Sequence, residues 1–208
     1  MTREAGPPAA APFEVLATRA QVTDAVERVA AELSTIYEDD VEPPILVGVL
    51  KGSTLFLADL IRAMPIAVQI DFMAISSYEA QAEQPSVVRI VKDLEHEITG
   101  RDVVIVEDIV DTGLTLAYLR RTLLEREPRS LRTVTLLDKA VRRIVPVELE
   151  HRVFEIPDVF VVGYGMDFQG HYRNVPQLVA VRDLPRLAAE PRLLVAPLFG
   201  APQVRGAR

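Results

Sequence analysis

A strand that runs straight into a polar turn sets the tightest limits on this chain. Residues 103–115 read Val-Val-Ile-Val-Glu-Asp-Ile-Val-Asp-Thr-Gly-Leu-Thr. Four β-branched residues in succession fit a strand covered on both faces, as in a parallel sheet flanked by helices. Glu107 and Asp108 then break the run where the strand should end. Asp111-Thr112-Gly113-Leu114-Thr115 follows, placing a turn glycine and two hydroxyls directly before a helical pattern. Free backbone N–H groups and a helix N-terminus converge there, which suits a phosphate monoester. The two upstream carboxylates are acceptors for a diol such as the 2- and 3-hydroxyls of a ribose. The segment reads as a grip for a ribose 5-phosphate; its plainer reading is a strand, a turn and a capped helix.

The rest of the chain offers a frame for such a site. Its 208 residues suit one domain, and a hydrophobic content of 49% can fill a core. Without cysteine there are no disulfides, thiolate metal sites or thiol catalysis, so the chemistry falls to carboxylates, Lys, Arg and hydroxyls. A formal charge of −7 argues against a nucleic-acid surface, whose footprint is a basic face. No apolar run is long enough to span a membrane and no signal-peptide layout opens the chain, so a cytoplasmic location is expected. Residues 1–12, rich in Ala and Pro, read as a disordered leader, 13–183 as the folded domain, and 184–208 as a Pro-punctuated extension. That extension could close the core edge, form a subunit contact or hang as a loosely ordered tail.

Periodicity places the elements. Thr18 and Gln21 form a capping-box start, and Val22, Val26, Val29, Leu33 and Ile36 make one apolar stripe at helical spacing. Strands are predicted at 45–49, 68–73, 87–91, 103–106 and 133–137, with helices over 53–64 and 115–126. This alternation implies an α/β fold with an open, mainly parallel sheet, in which ligands bind beyond the carboxyl ends of the strands.

Several motifs fall at those ends: Leu50-Lys51-Gly52-Ser53, Asp71-Phe72-Met73 with Ser76-Ser77-Tyr78, Leu136-Leu137-Asp138-Lys139, and Phe154-Glu155-Ile156-Pro157-Asp158 running on to Asp167. Together with residues 103–115, and in this order, they resemble the type I phosphoribosyltransferases, most closely the hypoxanthine-guanine branch. The resemblance covers about Ile45 to Val181. It implies a mainly parallel sheet flanked by helices with a small hood, a phosphoribosyl-pyrophosphate (PRPP) donor, and purine salvage giving IMP or GMP.

The roles implied by the resemblance map onto named residues. Glu107 and Asp108 would hold the ribose, and Asp111 to Thr115 the 5-phosphate. Asp111 would also be the general acid/base at purine N7, although its type and position equally suit a helix cap. Lys51, Gly52 and Arg173 would face pyrophosphate, with a strained peptide in the Lys51-Gly52 turn. Lys139 would read the exocyclic oxygen of a 6-oxopurine, Phe160 would stack on the base, and Val161 and Asp167 would complete its surroundings. Glu107, Asp108 and Asp167 are the candidate ligands for Mg2+ arriving with PRPP. Ser77 and Tyr78 would begin a loop that closes over the reacting centre. A homodimer or homotetramer is expected.

One stretch departs from the family pattern. Residues 79–86, Glu-Ala-Gln-Ala-Glu-Gln-Pro-Ser, lack glycine and add two carboxylates near the pyrophosphate path. Loop closure and turnover are what this change touches, so a catalytically weak paralogue or a PRPP-sensing regulator stands as the alternative, and xanthine as an alternative base.

Overall fold

The apolar run at 103–106 divides its side chains between two cores. Val104 and Val106 join one buried cluster and Val103 and Ile105 another, the period-2 alternation of a strand packed on both faces. The computed structural model describes residues 13–78 and 87–200. Its elements run β1 (Phe13–Ala17), α1 (Arg19–Tyr37), β2 (Ile45–Leu50), α2 (Thr54–Ala63), β3 (Gln69–Tyr78), β4 (Val87–Lys92), β5 (Asp102–Val110), α3 (Leu114–Leu124), β6 (Ser130–Asp138), β7 (His151–Glu155), β8 (Phe160–Val162), β9 (Leu178–Val181), α4 (Leu184–Ala189) and α5 (Val195–Phe199). The large sheet is ordered β4-β3-β2-β5-β6-β7 and the small one β1-β9-β8. All pairings in the large sheet are parallel except β3 with β4, and the small sheet is antiparallel.

Residues of α1 and α2 bury their apolar sides with Leu46, Val104, Val134 and Leu136 on one face. Those of α3 pack with Ile45, Val47, Val103 and Ile105 on the other. From β2 the chain crosses to β3 on one side, and from β5 to β6 on the other. Strand order therefore reverses between β2 and β5, which opens a crevice beyond their carboxyl ends.

The capping box at the start of α1 is formed: Gln21 N–H donates to Thr18 Oγ1 at 3.3 Å and Thr18 N–H to Gln21 Oε1 at 2.9 Å. The buried stripe continues from Leu33 to Tyr37 rather than to Ile36, which is exposed. One residue, about 100° of helical turn, separates the two, and the core lies under Tyr37. Periodicity did not predict β1, whose strand partner among the described residues, β9, lies far along the chain.

Residues 184–200 close the hood, which is built on the small sheet β1-β9-β8 and the loop between β8 and β9. Leu187 and Leu194 are fully buried with Val162, Tyr172, Val175, Val179 and Val181, and the Tyr172 hydroxyl donates to the Pro191 carbonyl. Of the three possibilities open for the extension, this stretch takes the core edge. The expected leader at 1–12, the glycine-free loop at 79–86 and the last residues, 201–208, lie outside the described residues.

Candidate active site

Three strand ends supply the crevice. β2 ends at Leu50 and delivers Lys51 and Gly52, β5 ends at Val110 and delivers Asp111, and β6 ends at Asp138 and delivers Lys139. The Leu50–Lys51 peptide is cis, one bond earlier than the Lys51-Gly52 turn to which the resemblance assigned the unusual peptide. Lys51 is exposed and Gly52 buried.

Gly52 is where β2 meets β5. A Cβ at Gly52 would fall 1.5 Å from Asp108 Oδ2 and 2.4 Å from its Cγ, and one at Gly165 would fall 2.0 Å from the Gly52 carbonyl oxygen. Two glycines thus let the Asp108 carboxylate lie against one backbone turn and the hood loop against its other side. Asp108 Oδ1 accepts the N–H of Ile109 at 2.9 Å. Burial pushes the Asp108 carboxyl up to about 6; backbone N–H groups and Arg173 oppose the rise, and Asp167 adds to it. Burial, reinforced by neighbouring Asp108, also raises the Glu107 carboxyl well above the usual range.

The turn after β5, expected to be the phosphate cradle, opens directly into α3. Gly113 is the N-cap of α3 with φ of 84°, a left-handed conformation that glycine adopts without cost. The first turn of α3 leaves N–H groups without intrahelical partners. A cavity of about 220 Å³ gathers Glu107, Asp108, Asp111, Gly113 and Thr115 with Val49 and Ile75, so the two expected ribose residues share one space with three of the five expected at the 5-phosphate; Thr112 and Leu114 do not line it. A larger cavity, about 510 Å³ between α1, α2 and the hood, contains none of the expected site residues.

Lys139 and Asp111 face each other beside this space. Lys139 Nζ lies 3.8 Å from Asp111 Oδ2 and 4.0 Å from Asp158 Oδ1. Arg142 completes the group: its Nε donates to Asp111 Oδ1 at 3.1 Å, and its Nη1 reaches Asp158 Oδ2 at 3.4 Å. A donor and an acceptor thus stand side by side at the ends of β6 and β5. Two residues beyond Asp158, Phe160 packs edge-on against Phe168, with ring centroids 5.9 Å apart. Val161 is buried in β8.

A cavity at a strand-order reversal, lined by Glu107, Asp108, Asp111, Gly113 and Thr115, thus lies next to the Lys139–Asp111 pair. The phosphoribosyl transferase domain family matches residues 18–169. Hypoxanthine-guanine phosphoribosyltransferase of Streptococcus pneumoniae is 41% identical over 170 residues, covering 82% of this chain and 93% of the relative. The chain belongs to the phosphoribosyl transferase family, in its hypoxanthine-guanine branch. The enzyme of the same name from Mycobacterium avium is 45% identical over 77% of this chain and 81% of its own. Hypoxanthine phosphoribosyltransferase of Escherichia coli is 43% identical over 79% and 93%. Among solved structures, the hypoxanthine phosphoribosyltransferase of Staphylococcus aureus superposes with a TM-score of 0.77 at 40% identity, covering 82% of this chain and 91% of that one. That of Trypanosoma cruzi, as a ternary substrates complex, gives 0.76 at 39%, covering 81% and 94%.

The chain is therefore a phosphoribosyltransferase, an enzyme of the pentosyltransferase class. Its hood residues are tied among themselves: Arg173 Nη2 pairs with Asp167 Oδ1 at 2.5 Å, Arg173 Nη1 donates to the Gly165 carbonyl at 2.6 Å, and Gly170 N–H donates to Asp167 Oδ2 at 2.7 Å. Among the described residues, no three His, Cys, Asp or Glu side chains gather into a metal-binding group. The expected trio of Glu107, Asp108 and Asp167 is thus not a three-carboxylate cage. Asp108 and Asp167 still fit a hard cation, since the space left by Gly52 holds the Asp108 carboxylate, which feels the charge of Asp167, and substrate oxygens can complete the shell. The backbone of Ser77 and Tyr78 ends β3, opposite Val88 and Val87 of β4.

Sequence reasoning missed Arg142, Arg143, Asp158, Gly165 and Phe168. The adjacent arginines three and four residues after Lys139 were the available signal for the first two. Asp158 and Gly165 lie within the sequence motifs but take no role there, because the contacts they make are to distant segments.

Proposed function

We propose that this phosphoribosyltransferase carries out purine salvage, transferring the 5-phosphoribosyl group of PRPP to N9 of hypoxanthine and of guanine, to give IMP or GMP and pyrophosphate. The observation that carries the reading is the pairing of Lys139 and Asp111 at 3.8 Å beside the ribose-phosphate cavity. On a 6-oxopurine, O6 and N7 lie on one edge, so a donor and an acceptor at neighbouring strand ends match both. Names and identities of the relatives support the same reaction.

In this reading N9 attacks C1 as the bond from C1 to pyrophosphate oxygen breaks, and pyrophosphate leaves with the electron pair. Asp111 takes the proton from N7 while Lys139 donates to O6. The turn from Asp111 to Thr115 holds the 5-phosphate, Glu107 and Asp108 lie at the ribose, and Lys51, Gly52 and Arg173 meet the leaving group. Phe160 stacks on the base, and the Val161 backbone meets its far edge. Positioning and electrostatics carry most of the acceleration for so loose a transition state. Mg2+ bound by Asp108, Asp167 and substrate oxygens would neutralise developing pyrophosphate charge; Glu107, 6% exposed, lines the same cavity as Asp108. Arg173 must exchange its bonds to Asp167 and Gly165 for pyrophosphate oxygens.

We further place the enzyme in the cytoplasm, as a homodimer or homotetramer, with Ser77 and Tyr78 opening a loop that excludes water during transfer. The deciding assay supplies PRPP and Mg2+ with hypoxanthine, guanine, xanthine or adenine and follows nucleotide formation. Turnover with hypoxanthine and guanine and none with adenine is expected. Preference for xanthine would replace the base assignment, and tight PRPP binding without turnover on any base would replace the enzyme by a sensor.

A further inference from the structure

The segment after Lys139 does more than lead away from the base. Thr112, in the middle of the phosphate turn, has its carbonyl engaged from outside: the N–H of Ile144 donates to it at 2.9 Å and that of Val145 at 3.3 Å. Gly113 rests on the same segment. A Cβ there would lie 2.9 Å from the Val145 carbonyl oxygen, 3.0 Å from Arg143 Cδ and 3.3 Å from Arg143 Nη1. Residues 143–145 therefore form the floor of the turn, and the Arg143 guanidinium lies directly under Gly113.

Arg143 is itself fixed from below. Its Nη2 pairs with Asp138 Oδ1, and Asp138, 2% exposed at the carboxyl end of β6, also draws Arg152 Nη1 to 3.4 Å. The other arm is different. Arg143 Nη1 is buried and has no hydrogen-bond partner. Buried donors in folded proteins are almost always satisfied, so one left open beside a turn shaped for an anion needs an explanation. A dianionic phosphate on the other side of Gly113 would draw on the charge of this arm through the field rather than by direct contact.

We infer that Arg143, held by Asp138, is a positioning residue for the 5-phosphate: it braces the turn at Gly113 and places a half-buried guanidinium, with one buried arm, behind it. The inference rests on the proposed reading of Asp111 to Thr115 as the phosphate cradle. It separates the two ends of PRPP. The monoester end depends on Arg143; the pyrophosphate end, at Lys51 and Arg173, does not.

Arg143→Met keeps the bulk of the side chain and removes the charge, and Arg143→Lys keeps the charge without the fork. Calorimetry with ribose 5-phosphate and, separately, with pyrophosphate and Mg2+ reads the two ends without turnover. For Arg143→Met, the Kd of ribose 5-phosphate rises about tenfold, equivalent to ~1.4 kcal/mol, and the KM of PRPP rises with it. Pyrophosphate affinity and kcat stay near the parent values. Arg143→Lys recovers part of the loss, and is also the variant to measure if Arg143→Met does not fold. An equal loss at both ends, a fall in kcat with ribose 5-phosphate affinity intact, or no change in either variant overturns the inference. Failure of the functional reading looks different: the parent protein would bind ribose 5-phosphate and turn over no base, leaving the Arg143 comparison intact.

Discussion

Gly52→Ala adds one methyl group at the point where β2, β5 and the hood converge. The backbone there is not left-handed, so alanine meets no conformational penalty of its own. The cost is steric. Its Cβ would sit 1.5 Å from Asp108 Oδ2 and 2.4 Å from Cγ, whereas ordinary contact begins at 3.4 Å, so the carboxylate must retreat by about 2 Å to regain van der Waals distance. Asp108 cannot yield as a flexible surface chain would, because Ile109 N–H holds its Oδ1 and the strand holds its backbone. Overpacking of this kind costs about 1–3 kcal/mol of stability. Misplacement of a substrate-binding group by 1 Å can cost about a hundredfold in rate. Steady-state kinetics with PRPP varied should show kcat/KM for PRPP down by at least about a hundredfold, with denaturation showing a modest loss of stability. A variant with parental PRPP kinetics would mean that Asp108 does not touch the donor, and that the close approach at Gly52 serves packing alone.

Three further outcomes are expected. Asp111→Asn should lower kcat by about a hundred- to ten-thousandfold, the range for a lost general acid/base, while the Kd of PRPP by calorimetry changes little; comparable turnover would remove Asp111 from the chemistry. Asp71, buried at 4% exposure in β3, accepts the N–H groups of Glu95 and His96 at 2.8 and 2.9 Å. Burial raises its carboxyl, but the N–H groups of His96, Phe72 and Glu95 and the His96 ring outweigh this and hold it below the ordinary 3.8. A carboxyl lowered by folding adds stability that is fully present above the unfolded value and is lost as pH falls through the folded one. Stability against urea should therefore drop in acid for the parent, and Asp71→Asn should be weaker by about 1–3 kcal/mol at neutral pH with a flatter acid limb. Equal acid limbs would contradict this. Leu194→Ala should cost about 2–5 kcal/mol in the same denaturation; a cost near zero would mean that the 184–200 segment does not close the hood.

What could be read from the sequence was whatever repeats within one element. The run at 103–106 alternates between two cores, and the strand could be predicted because burial on both faces demands four apolar residues in a row. The Thr18–Gln21 box involves residues three apart, and the phosphate turn is contiguous. Contacts that join distant segments left no such trace. Glu14 of β1 lies beside Ala180 of β9, and nothing in Phe13–Ala17 alone distinguishes that strand from a leader. Gly165 reads as a turn glycine until the Gly52 carbonyl is found against it. Arg143 reads as a solvated arginine until Asp138 and Gly113 enclose it.

The groups proposed to read the base are conditional on a ligand. Asp111, Lys139, Arg142 and Asp158 form two carboxylates and two cations that satisfy one another, so without a base none is left an uncompensated charge. A base can enter only by offering equivalent partners on one edge. A 6-oxopurine does so, since O6 accepts from Lys139 and N7–H donates to Asp111. Adenine would present an amino donor to the ammonium of Lys139, which has no acceptor to offer. Breaking the Lys139–Asp111 contact would then be repaid on one side only. In the proposed reading, rejection of adenine follows from the mutual pairing of the two groups as much as from Lys139 itself, and selectivity of this kind rests on a penalty against the wrong ligand.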